Sequence, residues 1–115
     1  MKFTRLYTGS NGQSFFEEGE VVLSVADIGK LSSAISADRI FFGEVEDINE
    51  VSWHNPPCRQ YVIMLKGGIE IEIGDGTKKT FKEGDIVLAE DTTGQGHITR
   101  PASTGKREYL VITLN

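Results

Sequence analysis

The run Ile69-Glu70-Ile71-Glu72-Ile73 alternates apolar and acidic residues without exception, and Asp75-Gly76 follows almost at once. Successive side chains leave a β-strand on opposite sides, so this pattern describes a strand with an apolar inner face and a solvated acidic outer face. Asp-Gly accepts the backbone angles of a tight hairpin, so Thr77–Phe81 becomes the return strand. That register brings Lys78 or Lys79 opposite Glu70 or Glu72, a cross-strand pairing of a few tenths of a kcal/mol. A hairpin of this kind needs a second apolar surface to cover its isoleucines, which points to a β-sandwich or barrel.

The rest of the chain agrees. Residues 2–8, Val21–Val25, Arg39–Val45, Tyr61–Leu65, Ile86–Ala89, His97–Arg100 and Glu108–Leu114 read as strands, because they are rich in β-branched and aromatic residues. Turn residues punctuate them at intervals of roughly eight to twelve. Phe15 and Phe16 fall after the Ser10-Asn11-Gly12 turn and before the second strand. Ala26–Asp38 reads as an irregular connection in which Ile28, Leu31 and Ile35 give one helical turn. Glu46–Glu50 reads as a solvated acidic loop. Pro56-Pro57 lacks two N–H donors, so it belongs at a sheet edge or bend. Tyr61–Leu65 is apolar on both faces, which predicts a cover over the outside of the sheet; a second copy of the chain, making a homodimer, is the simplest one.

Totals narrow the function. At 115 residues the chain makes one domain, residues 1–115, large enough to need no staple. A net charge of −5 argues against nucleic acid or an anionic membrane as partner. Cys58 is the single cysteine, so no intramolecular disulfide forms and a reducing compartment is expected. Neither a signal peptide nor an apolar run of ~18 residues is present, and the expected location is cytoplasmic.

Chemistry has few places to reside. His54 and His97 are the two histidines, each beside a turn at the end of a β-segment. Imidazole both takes and gives a proton near neutrality, so the pair is the candidate acid and base. By strand parity Gln60, Val62 and Met64 share the inward face, and the Gln60 amide can donate and accept toward a ligand. Trp53 could wall a pocket beside His54, and Thr92, Thr93 and Thr99 add hydroxyls near His97. Cys58 has no partner histidine at a readable spacing and no helix N-terminus to activate it. Glu90–Gly96 lacks the lysine and the strand-to-helix context of a phosphate loop.

The order of these signals resembles the cupin superfamily of small jelly-roll barrels, from about Arg39 to Leu114. One family motif has two histidines, a glutamate, six residues and a glycine; His54, Pro56, Gln60 and Gly67 fall on those positions. The other opens on Gly-Asp before an apolar strand and closes on a histidine, as in Gly84-Asp85-Ile86-Val87-Leu88 and His97. R-L-Y-T-G, W-H-x-x-P-x-R-Q and E-D-T-T-G-x-G-H extend the likeness to a group of stand-alone cupins mostly without assigned activity.

The resemblance implies an all-β cupin jelly-roll barrel of antiparallel strands. In the family's metal-binding members three histidines and a glutamate hold a divalent transition metal ion. Here His54, Gln60 and His97 remain, a set without anionic charge that implies weak metal affinity unless Glu44, Asp91 or the ligand supplies a carboxylate. The expected function is binding of a small polar metabolite, with His54 and His97 serving isomerase or lyase chemistry if the protein is an enzyme. The alternative is a non-catalytic ligand sensor or dimeric structural module with a vestigial pocket.

Overall fold

In this computed structural model residues 1–46 and 50–115 are described, and among them the chain forms strands and no helix. The strands are β1 (Lys2–Thr8), β2 (Ser14–Glu20), β3 (Ser24–Ala26), β4 (Gly29–Leu31), β5 (Arg39–Val45) and β6 (Val51–His54). They continue as β7 (Gln60–Lys66), β8 (Ile69–Glu72), β9 (Lys78–Phe81), β10 (Ile86–Ala89), β11 (His97–Pro101) and β12 (Arg107–Thr113). One sheet runs β2-β1-β10-β7-β12-β5, another β6-β11-β8-β9, and β3 and β4 pair only with each other. The all-β architecture is therefore the one the alternation implies. Its ladders are antiparallel with one correction: β1 and β10 run parallel, Thr4 to Leu6 beside Val87 to Ala89. No hairpin joins those two strands, so nothing local dictates their direction.

The two large sheets bury their inner faces against each other. Leu6, Met64 and Val87 from the six-stranded sheet meet Ile71, Ile73 and Phe81 from the other side, all nearly inaccessible. Each such side chain contributes roughly 1.5–3 kcal/mol on leaving water. On β8 the isoleucines point into this core, while Glu70 and Glu72 point out to Arg100. Lys78 does stand opposite Glu72 in register, but Glu72 takes Arg100 as its ionic partner at 2.6 Å.

Two segments depart from expectation. The second strand covers Ser14–Glu20 rather than Val21–Val25, because the turn after Thr8 folds the chain straight back in full register with β1. Phe3 faces Gly19 in that ladder, and a Cβ on Gly19 would lie 2.3 Å from the Phe3 ring. The strand tolerates its glycine because a ring occupies the space above it. Ile28, Leu31 and Ile35 form no helical turn; residues 24–31 make the β3–β4 hairpin, with Gly29 at φ 118°. A glycine and Ser32, Ser33 and Ser36 disfavour helix more than the spacing favours it. Of the acidic loop Glu46–Glu50, Asp47, Ile48 and Asn49 lie outside the described residues. No helix among the described residues is long and apolar enough to cross a membrane.

Candidate functional site

A cavity of about 320 Å³ lies between the two large sheets. Its walls are mainly apolar, with Val62, Met64, Ile71, Val87 and Tyr109, and His54, His97, Gln60, Thr99 and Arg107 supply polar groups. Parity alone does not account for β6. His54 pairs with His97 and Val51 with Thr99, so three steps along β6 match two along β11. The extra residue is a β-bulge, and it turns both Val51 and His54 toward the cavity. The imidazole rings stand with centroids 4.5 Å apart and planes inclined at 59°. Such proximity needs Gly96: it has φ 76°, and a Cβ there would fall 2.0 Å from the His54 carbonyl oxygen.

The outward nitrogens of both rings are engaged. His54 Nδ1 lies 2.8 Å from the Ser52 carbonyl oxygen. A carbonyl only accepts, so Nδ1 carries the hydrogen. His97 Nδ1 lies 2.6 Å from Asp91 Oδ2, and the Ser14 hydroxyl donates to that same oxygen at 2.6 Å. Asp91 is fully buried, and its Oδ1 has no hydrogen-bond partner among the described residues. With Nδ1–H directed at the carboxylate, His97 also keeps its lone pair on Nε2. Two imidazoles thus share one tautomer, and both leave Nε2 as the atom available to a ligand.

The surroundings hold this pair in place. Asn55 Nδ2 donates to the carbonyls of Asp91 and Thr93 at 2.8 and 3.0 Å, and the Thr8 hydroxyl donates to Thr93 O at 2.9 Å. Residues 91–93 are therefore pinned to β1 and to the end of β6. Next to Asp91, Glu90 receives Arg5 at 2.6 Å and Arg59 at 2.5 Å. Burial pushes the Glu90 carboxyl up, but the hydrogen bonds from Arg5 and Arg59 outweigh it and hold the group below the ordinary carboxylate range.

Gln60, Met64 and Thr99 line the cavity with the two histidines. Trp53 does not: it precedes His54 on β6, points the other way and is 40% exposed. Thr92 does not either, since it sits on the outside of the pinned loop, exposed. Glu44 lies on the outside and pairs with Lys106, and Asp91 stands behind His97, so neither faces the cavity as a further ligand. Pro56 is buried and forms wall. Sequence reading missed Ser14, Arg107, Tyr109 and the positioning part played by Asp91. The Asp91-to-His97 spacing offers a faint signal for the last; Ser14, 77 residues from Asp91, offers none.

No protein-family model matches the chain, and no curated protein matches it. Solved structures do. A cupin domain from Bordetella pertussis Tohama I superposes with a TM-score of 0.50 at 18% identity, over 70% of this chain and 86% of that one. The chain has the cupin fold. Protein NMB1881 from Neisseria meningitidis is also similar, with a TM-score of 0.47 and 20% identity over 70% of this chain and 79% of its own. So is the conserved SPY1581 protein of unknown function from Streptococcus pyogenes, at 0.47 and 16%, over 84% and 96%. Within the cupin fold, the donors at the motif positions are two imidazole nitrogens and the Gln60 amide. Among the described residues no three His, Cys, Asp or Glu side chains are grouped to share an ion. A neutral donor set leaves the charge of a divalent cation uncompensated, and the one nearby buried carboxylate is spent on His97 Nδ1. These residues do not fit a tightly held metal.

Proposed function

We propose that this cupin binds a small polar metabolite in the cavity between its sheets, through the Nε2 atoms of His54 and His97. The observation that carries the reading is the pair of Nδ1 hydrogen bonds, to Ser52 O and to Asp91 Oδ2, with the rings 4.5 Å apart. Both bonds select the tautomer that offers a lone pair to the cavity, where a hydroxyl or enolisable C–H of a ligand would be received. A proton taken up at His97 Nε2 is balanced by the Asp91 carboxylate, whereas His54 has only a carbonyl dipole behind it. This asymmetry favours His97 as the base in isomerase or lyase chemistry, its Nε2 returning the same proton to the product, while His54 Nε2 accepts a hydrogen bond from the ligand. Gln60 and Thr99 supply neutral donors and acceptors. The charged group on the wall is Arg107, a buried guanidinium that is itself engaged. Uronates and keto acids are therefore the first probes, with neutral sugars beside them.

A second reading, a ligand sensor without catalysis, is favoured by the buried Pro56 and the neutral Gln60, which fill motif positions with groups that transfer no proton. One experiment addresses both readings. A thermal-shift screen identifies ligands, and each is then incubated with the protein and followed by proton NMR. Binding lost in His54→Ala and His97→Ala supports the cavity site, and wild-type binding by both variants refutes it. Solvent deuterium entering the ligand, or product appearing, distinguishes the enzyme from the sensor.

A further inference from the structure

The polar groups of the cavity stand at its two ends. Gln60 lies abreast of Ala89 and Thr113 in one row across the six-stranded sheet. The short link from His54 to Gln60 and the loop from Ala89 to His97 place both histidines at that end. Thr99 follows His97 by two residues and belongs with them. Arg107 stands at the other end, where a Cβ on Gly67 would lie 2.8 Å from its Cγ. Between the two the wall is apolar. Val87, Val62 and Val111 sit side by side on β10, β7 and β12, and Met64 and the Tyr109 ring form the next row. Ile69 and Ile71 face them from the other sheet. Rows on one face of a strand recur every two residues, about 6.7 Å, so Gln60 and Arg107 start from backbone positions roughly 20 Å apart.

We infer, given the role proposed for His54 and His97, that the ligand is an acid whose carboxylate is separated by an apolar chain or ring from the carbonyl or hydroxyl the histidines receive. Arg107 is already engaged, but a guanidinium carries five donors in a fork suited to carboxylate, more than one partner fills. Its burial strengthens whatever contact it makes. A 2-oxo acid holds its carbonyl next to its carboxylate and reaches only one end at a time. A uronate has the length, but its hydroxyls would lie against valines that return no hydrogen bond and would lose their hydration there. An apolar spacer takes the valine rows out of water, and gains about 0.8 kcal/mol per methylene, close to fourfold in affinity. The cavity of about 320 Å³ is at the lower end of the range for small-molecule sites, enough for one such acid.

Isothermal titration calorimetry on the full chain tests this with straight-chain oxo acids of one length, the ketone placed progressively further from the carboxylate. A second series lengthens the spacer itself. Affinity is expected to rise at least tenfold as the ketone moves away from the carboxylate, and about fourfold per added methylene until the cavity is full. The primary amide of the best acid is expected to bind about tenfold more weakly, because hydrogen bonds to a charged group are the stronger ones. Indifference to ketone position, a uronate as tight as the best oxo acid, or an amide equal to its acid overturns the inference. So does the absence of binding by every acid. His54→Ala separates this outcome from failure of the histidine site. If the variant binds the best acid as wild type does, the histidine site falls with the inference. If it loses affinity while ketone position makes no difference, the histidine site stands and the apolar spacer alone is refuted. Should the variant not fold, the wild-type series still decides.

Discussion

Asp91→Asn changes almost no volume and still cannot satisfy the site. In the native protein one buried oxygen, Oδ2, accepts from both Ser14 and His97, while Oδ1 has no partner among the described residues. If the new carbonyl takes the place of Oδ2, both donors are kept, but the amide NH₂ lands where nothing accepts it. A buried unsatisfied donor costs about 1–3 kcal/mol. If the amide turns over, its NH₂ faces the Ser14 hydroxyl and His97. His97 must then accept at Nδ1, so its hydrogen moves to Nε2 and the lone pair is lost from the cavity. Either orientation also replaces a charge-assisted bond by a neutral one, roughly half as strong. The expected loss is about 2–3 kcal/mol. For a chain of 115 residues this lowers Tm by on the order of 10 °C, at roughly 3–5 °C per kcal/mol. Differential scanning calorimetry reads the stability, and nitrogen-15 NMR of labelled imidazole reads which ring nitrogen is protonated. Ser14→Ala is the control, losing one hydrogen bond, about 1 kcal/mol, with the His97 tautomer unchanged. A D91N protein melting within about 2 °C of wild type, with His97 still protonated at Nδ1, refutes the argument.

Gly96→Ala forces a Cβ to 2.0 Å from the His54 carbonyl at a positive φ, so a loss of about 2–4 kcal/mol is expected from backbone strain and overlap together. An unchanged urea midpoint would contradict the close approach of β11 to His54. Glu90→Gln tests the Arg5–Glu90–Arg59 bridge through pH. Because the folded protein holds this carboxyl below its ordinary value of 4.5, the contribution is complete above that value and lost as pH falls through the lowered one. The wild type should therefore melt above E90Q at neutral pH, the gap narrowing as pH is taken progressively below 4.5; a gap that never narrows disproves the bridge. Arg100→Met removes contacts to Glu50, Glu70 and Glu72 from a side chain still 29% exposed. Little change in melting temperature is expected, and a drop as large as that of D91N would show that solvent screens these pairs less than assumed.

Within strands, the period of two was enough to place most side chains. It turns Gln60, Val62 and Met64 toward the cavity and sets Ile69, Ile71 and Ile73 against them. The same rule, applied to β6, assigns Trp53 to the face opposite His54 from the chain alone. The bulge is not legible there. Whether Val51 shares a face with His54 depends on a register with β11, and β11 lies more than forty residues further on. The β3–β4 hairpin was hidden for another reason: Ile28, Leu31 and Ile35 sit at helical spacing, while strands of three residues leave too short a pattern to read as a hairpin.

What the chain shows least is orientation. Two histidines at motif positions announce imidazole, but not which nitrogen faces inward, and that is settled by a carbonyl two residues away and by a carboxylate reached from Ser14 across the fold. These bonds have a consequence for the missing motif residues. Metal ligation through Nε2 and acceptance of a ligand's hydrogen through Nε2 require the same tautomer, with Nδ1–H held from behind. Pro56 and Gln60, at the other two motif positions, make none of the hydrogen bonds that hold the two rings. The two Nδ1 bonds therefore fix both rings whether or not anything is coordinated. His97→Phe leaves the buried Asp91 carboxylate with Ser14 as its one remaining donor among the described residues, so it costs stability whether or not the cavity is used, and ligand binding by the folded variant is what separates the two cases.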